Sequence, residues 1–285
     1  MPLDFSKDLI LRWQDPDPAH VPLFKAAGVS AVLASGGSAG FAEACSAAGI
    51  ASVAASDLQF LTLSELGSAQ SGKPVAATTG LWPGIRRPPS VPGRGDETAS
   101  ASREPWVDSN GYLVGYLRAL YPNRAPVLGY LPDQLGDRAV PFDSLELALI
   151  EAWTAGGNYV LAVEDNYRKA LLRKDVKAMA AWEQLGRTGR WLRENVALFR
   201  QQALPILTAL VEPGAATAEI GNLLYRRNAS PLLISAAAPP PSDSLALVAA
   251  NLRQPDPAMT KRILAHAASG STVIVATSPA QQWWR

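Results

Sequence analysis

Carboxylates close several short apolar runs of this chain. Asp15 follows LILRW, Asp57 follows ASVAAS, Asp133 follows VLGYL, and the neighbours Glu164 and Asp165 follow NYVLAV. Acids at strand ends are the raw material of glycosidic bond cleavage. That chemistry needs one carboxyl to protonate the leaving oxygen and a second to act as nucleophile or base. The two stand ~5–5.5 Å apart for retention and ~6.5–9.5 Å apart for inversion. Local roles compete for most of them. Asp15 and Asp17 in QDPDPAH can cap a first helix, Asp57 can cap a helix over LQFLTLSEL, and Asp133 can sit in the turn PDQLG. Glu164 is the least readily explained as a cap. Asp15 and Glu164 are therefore the candidate catalytic pair, and a general acid among them would need a pKa raised by burial or by its partner's charge.

Eight tryptophans accompany these acids. Trp13 ends the first apolar run, Trp82 ends the fourth, and Trp106 follows a Pro- and Gly-rich stretch. Such rings stack on the C–H faces of sugars, and the indole N–H can bind a hydroxyl; they can equally pack over the end of a sheet. Trp13, Trp82, Trp106 and Asp133 are the candidate substrate-binding residues. Trp153, Trp182 and Trp191 fall at core spacing on helical patterns and read as structural.

Other chemistries have little to draw on. The single cysteine, Cys45, excludes a disulfide within the chain and reads as a packed thiol. Two histidines, His20 and His266, leave a zinc site almost without ligands, so no metal and no cofactor is expected. Lys and Arg number 26 against 25 Asp and Glu, and no basic cluster offsets that balance, which argues against nucleic acid. No apolar run approaches the ~18 residues of a membrane span. The start MPLDFSKDLI lacks the basic segment and long apolar stretch of a secretory leader. A cytoplasmic location is expected unless such a leader has been removed. GGSAG after the run SAVLAS, with Asp57 ending the next run, mimics a dinucleotide-binding turn, although Ser35 stands where the first glycine belongs.

The elements that must position these residues alternate. Leu9–Trp13 reads as a strand and PAHVPLFKAAG as a helix stopped by Gly28. SAVLAS and AGFAEACSAAG repeat the unit, ASVAAS and a helix over LQFLTLSELGSAQ repeat it again, and Val75–Gly80 is strand four. The segment LWPGIRRPPSVPGRGDETASASREPW is too rich in Pro and Gly for regular structure. It is expected to be a long loop over the C-terminal face of the sheet. A helix over VDSNGYLVGYLRALYPN, capped by Asp108 or Ser109, then leads to the strand VLGYL. The helix SLELALIEAWTAGG, the strand YVLAV and a long helix pattern ending near Phe199 complete this part. Strand, loop, helix and Gly stop in repetition imply parallel strands with right-handed crossovers. Six strands are legible before residue 200. The fold class is α/β: an incomplete or distorted (β/α) barrel, with an open doubly wound sheet as the rival.

A second unit begins after Pro205, so a boundary is expected between Phe199 and Ile206, dividing the chain into residues 1–202 and 203–285. ILTALV, GAATAEIGNLLYRRN, SPLLIS, an ambiguous LALVAANL, AMTKRILAHAASG and STVIVAT read as a small flavodoxin-like α/β domain. It stops at QQWWR and reads as unfinished, so either the natural protein continues or the chain is a fragment.

WLRENVALFR, ILTALVEPGAATAEIGNLLYRRNASPLLIS and ILAHAASGSTVIVAT resemble the join in β-galactosidases that carry a trimerisation domain. In those proteins a catalytic barrel and a closing helix precede a domain like a class I glutamine amidotransferase. The GGN-strand before a long helix is similar to the eighth strand of such barrels. The resemblance covers roughly residues 140–280, in pattern rather than motif. It implies a glycoside-hydrolase-like barrel with an amidotransferase-like accessory domain, which acts on or binds carbohydrate. The chain departs from it at strand four, which ends Thr78-Thr79-Gly80-Leu81-Trp82-Pro83 where the family places Asn-Glu, so no catalytic residue carries over. Amidotransferase chemistry needs a nucleophilic cysteine, and none follows Cys45. The expected partner is a carbohydrate ligand, with a homo-oligomer left open. A catalytically degenerate barrel that binds glycans or mediates assembly is the alternative, and a nucleotide-binding enzyme of doubly wound fold the second alternative.

Overall fold

The computed structural model describes residues 3–35, 39–70, 72–78, 86–87, 97–98, 110–131, 141–201, 204, 206–253 and 256–276. Strands β1 (Ile10–Trp13), β2 (Ala31–Ala34) and β3 (Ala51–Ala54) are separated by helices α1 (Val21–Ala26) and α2 (Ala39–Ala47). Then come β4 (Gln59–Leu61) and β5 (Val75–Ala77). A two-residue antiparallel ladder follows, β6 (Arg86–Arg87) against β7 (Glu97–Thr98). Helix α3 (Gly111–Leu120), strand β8 (Val127–Gly129), helix α4 (Ser144–Thr154) and strand β9 (Asn158–Ala162) complete the first sheet. Helices α5 (Asp165–Leu172), α6 (Val176–Glu194) and α7 (Val196–Phe199) lead out of it. The second sheet is built from β10 (Leu207–Val211), β11 (Leu232–Ser235), β12 (Ala246–Ala250) and β13 (Thr272–Ala276), with α8 (Ala215–Arg226) and α9 (Pro257–Ala268).

The first sheet is parallel, seven-stranded and ordered β3-β2-β1-β9-β8-β5-β4. Its last strand pairs with its first, Ile10 opposite Val160. That cyclic order is the order of a barrel; a doubly wound sheet would place its later strands outward from β1 in sequence order. The rival doubly wound reading is corrected accordingly. Among the described residues β3 and β4 do not pair, so the curl stays open there. Its depth follows from one contact. In a flat sheet β1 and β4 would lie roughly 19 Å apart, four spacings of ~4.8 Å. Yet the Arg12 guanidinium sits 5.4 Å from the centre of the Phe60 ring.

Period-two alternation divides the side chains. Ile10, Leu33, Leu58, Ala76, Val127 and Val160 meet on the concave side. Leu9 just before β1, Leu11 and Trp13 on it, and Tyr159 and Leu161 on β9 face the helix layer. The strand β4 replaces the helix expected over LQFLTLSELGSAQ, which makes seven strands rather than six. Leu58, Phe60, Leu61 and Leu63 are compatible with either period over so short a run. The ring of Phe60 decides it by entering the concave core, where a Cβ on Gly129 would stand 3.3 Å from its edge. Glycine is needed at 186 for a similar reason. A Cβ there would lie 2.7 Å from the Ala27 Cα, so α6 packs directly on the backbone that ends α1.

The second sheet is also parallel, ordered β11-β10-β12-β13, and the ambiguous LALVAANL is its strand β12. The chain passes from one sheet to the other between Phe199 and Leu207. Packing does not stop there, because Ala209, Val211, Ala218 and Leu233 share one core with Leu113, Val114 and Leu117 of α3. The Tyr116 hydroxyl donates to the Glu212 carbonyl at 2.7 Å and accepts from Gly214 N at 2.9 Å. Of the expected long loop, the structure describes only the β6–β7 ladder. Its place over the C-terminal face lies outside the described residues, as do Asp108 and Ser109. The residue at the N-terminus of α3 is Asn110.

Candidate functional site

Parallel strands deliver their C-terminal ends, and the loops after them, to one mouth, where α/β barrels place their chemistry. Here β1 contributes Arg12, β4 contributes Phe60, and the residues just after β5, β8 and β9 contribute Thr78, Tyr130 and Glu164. Arg12 lies two residues beyond Ile10, and Thr78 two beyond Ala76, so both follow the inward register of their strands.

The two polar groups are incompletely used. Arg12 Nη1 and Thr78 Oγ1 are both buried with no hydrogen-bond partner among the described residues. A buried donor left unmade costs ~1–3 kcal/mol. The guanidinium lies over the Phe60 ring, a cation–π arrangement that fixes the charge without consuming its N–H groups. Tyr130, 3 % exposed, donates to the Ala162 carbonyl. Burial first, and then the nearby Glu164 carboxylate, hold its phenol far above the ordinary range, so it stays protonated.

The candidate acids have structural employment. Glu164 is the N-cap of α5: Oε2 accepts from Asn166 N at 2.9 Å and Oε1 from Tyr167 N at 2.8 Å. The acid least readily explained as a cap from the sequence therefore is one. Its side chain replaces water on two N–H groups that the first helical turn cannot satisfy itself. Asp15 has a side chain 77 % exposed and accepts from Arg168 Nη1 at 2.8 Å. The same guanidinium reaches Asp165 at 3.0 Å. Neighbouring β1 and β9 do bring Asp15 and Glu164 to the same end of the sheet, but the contact that joins their loops runs through Arg168. Asp17 caps the turn Pro18–His20, accepting from Ala19 N.

Trp13 is also corrected. It is 1 % exposed and faces the helix layer, packed edge-on against Phe24 at 5.0 Å, so its ring offers no face to a sugar. Trp82, Trp106 and Asp133 lie outside the described residues, as does most of GGSAG. Trp153 and Trp182 are buried as expected, whereas Trp191 is 52 % exposed. Sequence reasoning missed Arg12 and Thr78. The signal was a charge on the inward register of LILRW and a hydroxyl on the inward register of VAAT.

Capping makes a prediction. Glu164→Ala should lower the unfolding free energy by about 0.5–2 kcal/mol, as other lost caps do, with Glu164→Gln intermediate because an amide oxygen still accepts. Urea denaturation of the three proteins would check it; an unchanged midpoint for Glu164→Ala would remove the capping role.

Among the described residues no group of three His, Cys, Asp or Glu side chains is placed to hold a metal ion, and no helix is long and apolar enough to cross a membrane. No family model, no curated protein and no solved structure matches this chain.

Proposed function

We propose that the chain binds an acidic carbohydrate at the mouth formed by the C-terminal ends of β1, β4, β5, β8 and β9, and does not hydrolyse it. The observation that carries this reading is the Arg12 guanidinium, inward-facing and with a buried nitrogen that has no partner. A planar fork of N–H donors matches the two oxygens of a uronate carboxylate. The unpartnered Thr78 hydroxyl supplies an adaptable donor or acceptor for a sugar hydroxyl. The Phe60 ring offers an apolar surface beside both.

Hydrolysis is the less favoured half of the carbohydrate reading. A retaining or inverting pair needs a carboxyl free to exchange a proton with the substrate, and both oxygens of Glu164 are engaged by backbone N–H groups of α5. That is the pattern expected of a barrel that has kept a ligand mouth without an acid.

Calorimetric titration with a trigalacturonate, against neutral galactotriose, tests the proposal. The acidic sugar should bind and the neutral one should bind at least tenfold more weakly. Arg12→Met, which keeps the aliphatic stem, should weaken trigalacturonate binding by about 10–100-fold, the worth of a charge-assisted hydrogen bond. Equal affinities for the two sugars, or undiminished binding to Arg12→Met, would refute it. Turnover of aryl glycosides that disappears in both Asp15→Asn and Glu164→Gln would restore a hydrolase instead.

A further inference from the structure

A second concavity lies at the other end of the first sheet. It has a volume of about 880 Å³ and opens between α3 and α4 on one side and α8 and β11 on the other. Pro126 before β8, Gly156 before β9 and Ser6 before β1 all border it, so it sits at the N-terminal strand ends, away from the mouth of Arg12. Gly111 and Gly115 on α3 leave its wall open; a Cβ on Gly115 would already stand 3.4 Å from Leu233 and 3.6 Å from the Tyr225 hydroxyl.

Three charged side chains line this cleft, the acid Glu151 and the arginines Arg118 and Arg200. Glu151 of α4 is largely withdrawn from water and is held by Asn110, whose amide donates to Oε2 at 3.1 Å. Asn110 is itself 1 % exposed, and its Oδ1 has no partner. Burial raises the Glu151 carboxyl to about 7, against the opposing pull of the Asn110 hydrogen bonds. The other ionisable groups around it are Tyr159 on β9, Arg118 on α3, Tyr225 on α8 and Arg200 after α7.

Arg118 is anchored by one nitrogen only. Nη2 donates to the carbonyls of Ala155 at 2.9 Å and Gly156 at 3.2 Å, and the side chain lines the cleft. Ala155 lies one helical turn beyond Glu151, a rise of ~6 Å along α4. Phe199, Pro231 and Leu233 give the same cleft an apolar part of its lining.

We infer that this cleft is a binding site for a free α-amino acid with an apolar side chain: Glu151 receives the ammonium, Arg118 the carboxylate, and the wall of Phe199, Pro231 and Leu233 the side chain. An ammonium supplies the ion pair that Glu151 lacks among the described residues. Charge-assisted hydrogen bonds of ~2.7–2.9 Å at each end of an α-amino acid span a gap of one helical turn. A simple anion would meet Arg118 but also the Glu151 carboxylate, and a simple amine would bring Arg118 no counter-charge. Because the ammonium favours ionised Glu151, binding near pH 7 displaces a proton from the carboxyl, and affinity increases from pH 6 to pH 8.

The test is calorimetric titration of the full chain with L-leucine, and with 4-methylpentanoate and 3-methylbutylamine, which each keep one charge. Leucine should bind, and each single-charge analogue should bind at least tenfold more weakly. The leucine enthalpy at pH 7 should vary with the ionisation enthalpy of the buffer, reporting proton release. Glu151→Gln keeps the shape and the contact with Asn110, and should lose at least tenfold in affinity together with the buffer dependence. Gly115→Leu, which fills the cleft from α3, should abolish binding. No heat with leucine up to 10 mM would overturn the inference. So would an analogue that binds as tightly as leucine, or full affinity in Glu151→Gln. Each readout is independent of carbohydrate binding, so failure at the mouth and failure here are separable.

Discussion

Trp13→Ala is expected to lower the unfolding free energy by about 3–5 kcal/mol, the range for large aromatic truncations in a core. The side chain is 1 % exposed and sits where β1, an interior strand between β2 and β9, meets α1. Its ring lies 5.0 Å from Phe24 and 5.6 Å from His20, edge-on to both, and the indole N–H donates to His20 Nδ1 at 3.2 Å. Truncation removes the apolar area and leaves a cavity that the fixed strand backbone cannot close. It also strips His20 of its donor. Trp13→Phe should cost less, since a ring remains to pack on Phe24. Guanidinium denaturation followed by circular dichroism measures both. A loss under 1 kcal/mol for Trp13→Ala would mean that the ring is not in the core. It would also return the ring to consideration as a surface for sugars.

The residue illustrates what sequence could and could not convey. The alternation of strands and helices was legible because each βα unit carries its own period and its own stop, as with Gly28, Gly49 and Gly156, all at positive φ. The side of the strand on which Trp13 falls was also legible in principle. Leu9, Leu11 and Trp13 share one register, and Ile10 and Arg12 the other. Proximity of a tryptophan to a strand end is a weaker guide than that register, and the same register points to Arg12. The seventh strand was not legible. Gln59–Leu61 is three residues long and pairs with a single neighbour, so its conformation is set by the core that Phe60 enters rather than by local preference. Glu164 misled for a related reason. Glutamate is an uncommon cap, and only the turn of α5 back over the sheet brings its carboxylate onto Asn166 and Tyr167. The cleft at Glu151 was wholly invisible, since its walls come from α3, α4, α8 and β11, spread over more than a hundred residues.

Glu151 should also leave a signature in stability. Its carboxyl is raised from 4.5 to about 7 in the folded protein by burial. Between those values the folded state holds a proton that the unfolded state has released, so stability falls as pH rises through this window. The penalty is absent below the unfolded pKa and complete above the folded one. At ~1.4 kcal/mol per pKa unit it amounts to about 3 kcal/mol by pH 8. Glu151→Gln removes the titration while keeping an oxygen for Asn110. Its stability should therefore be flat in this respect from pH 4.5 to 7, and at pH 8 it should exceed that of the parent by about 1–3 kcal/mol. Urea unfolding at half-unit pH intervals gives both curves, and parallel curves would show that Glu151 ionises without strain. A buried acid that destabilises the fold is retained at a cost, and a ligand ammonium would offset that cost. Leucine at a hundred times its dissociation constant should stabilise the parent by ~2.7 kcal/mol at pH 8. Glu151→Gln, already relieved of the charge, should gain at least 1 kcal/mol less, because its affinity is at least tenfold lower. A variant that is more stable than the parent yet less responsive to leucine is the combination that a binding role predicts and a purely structural glutamate does not.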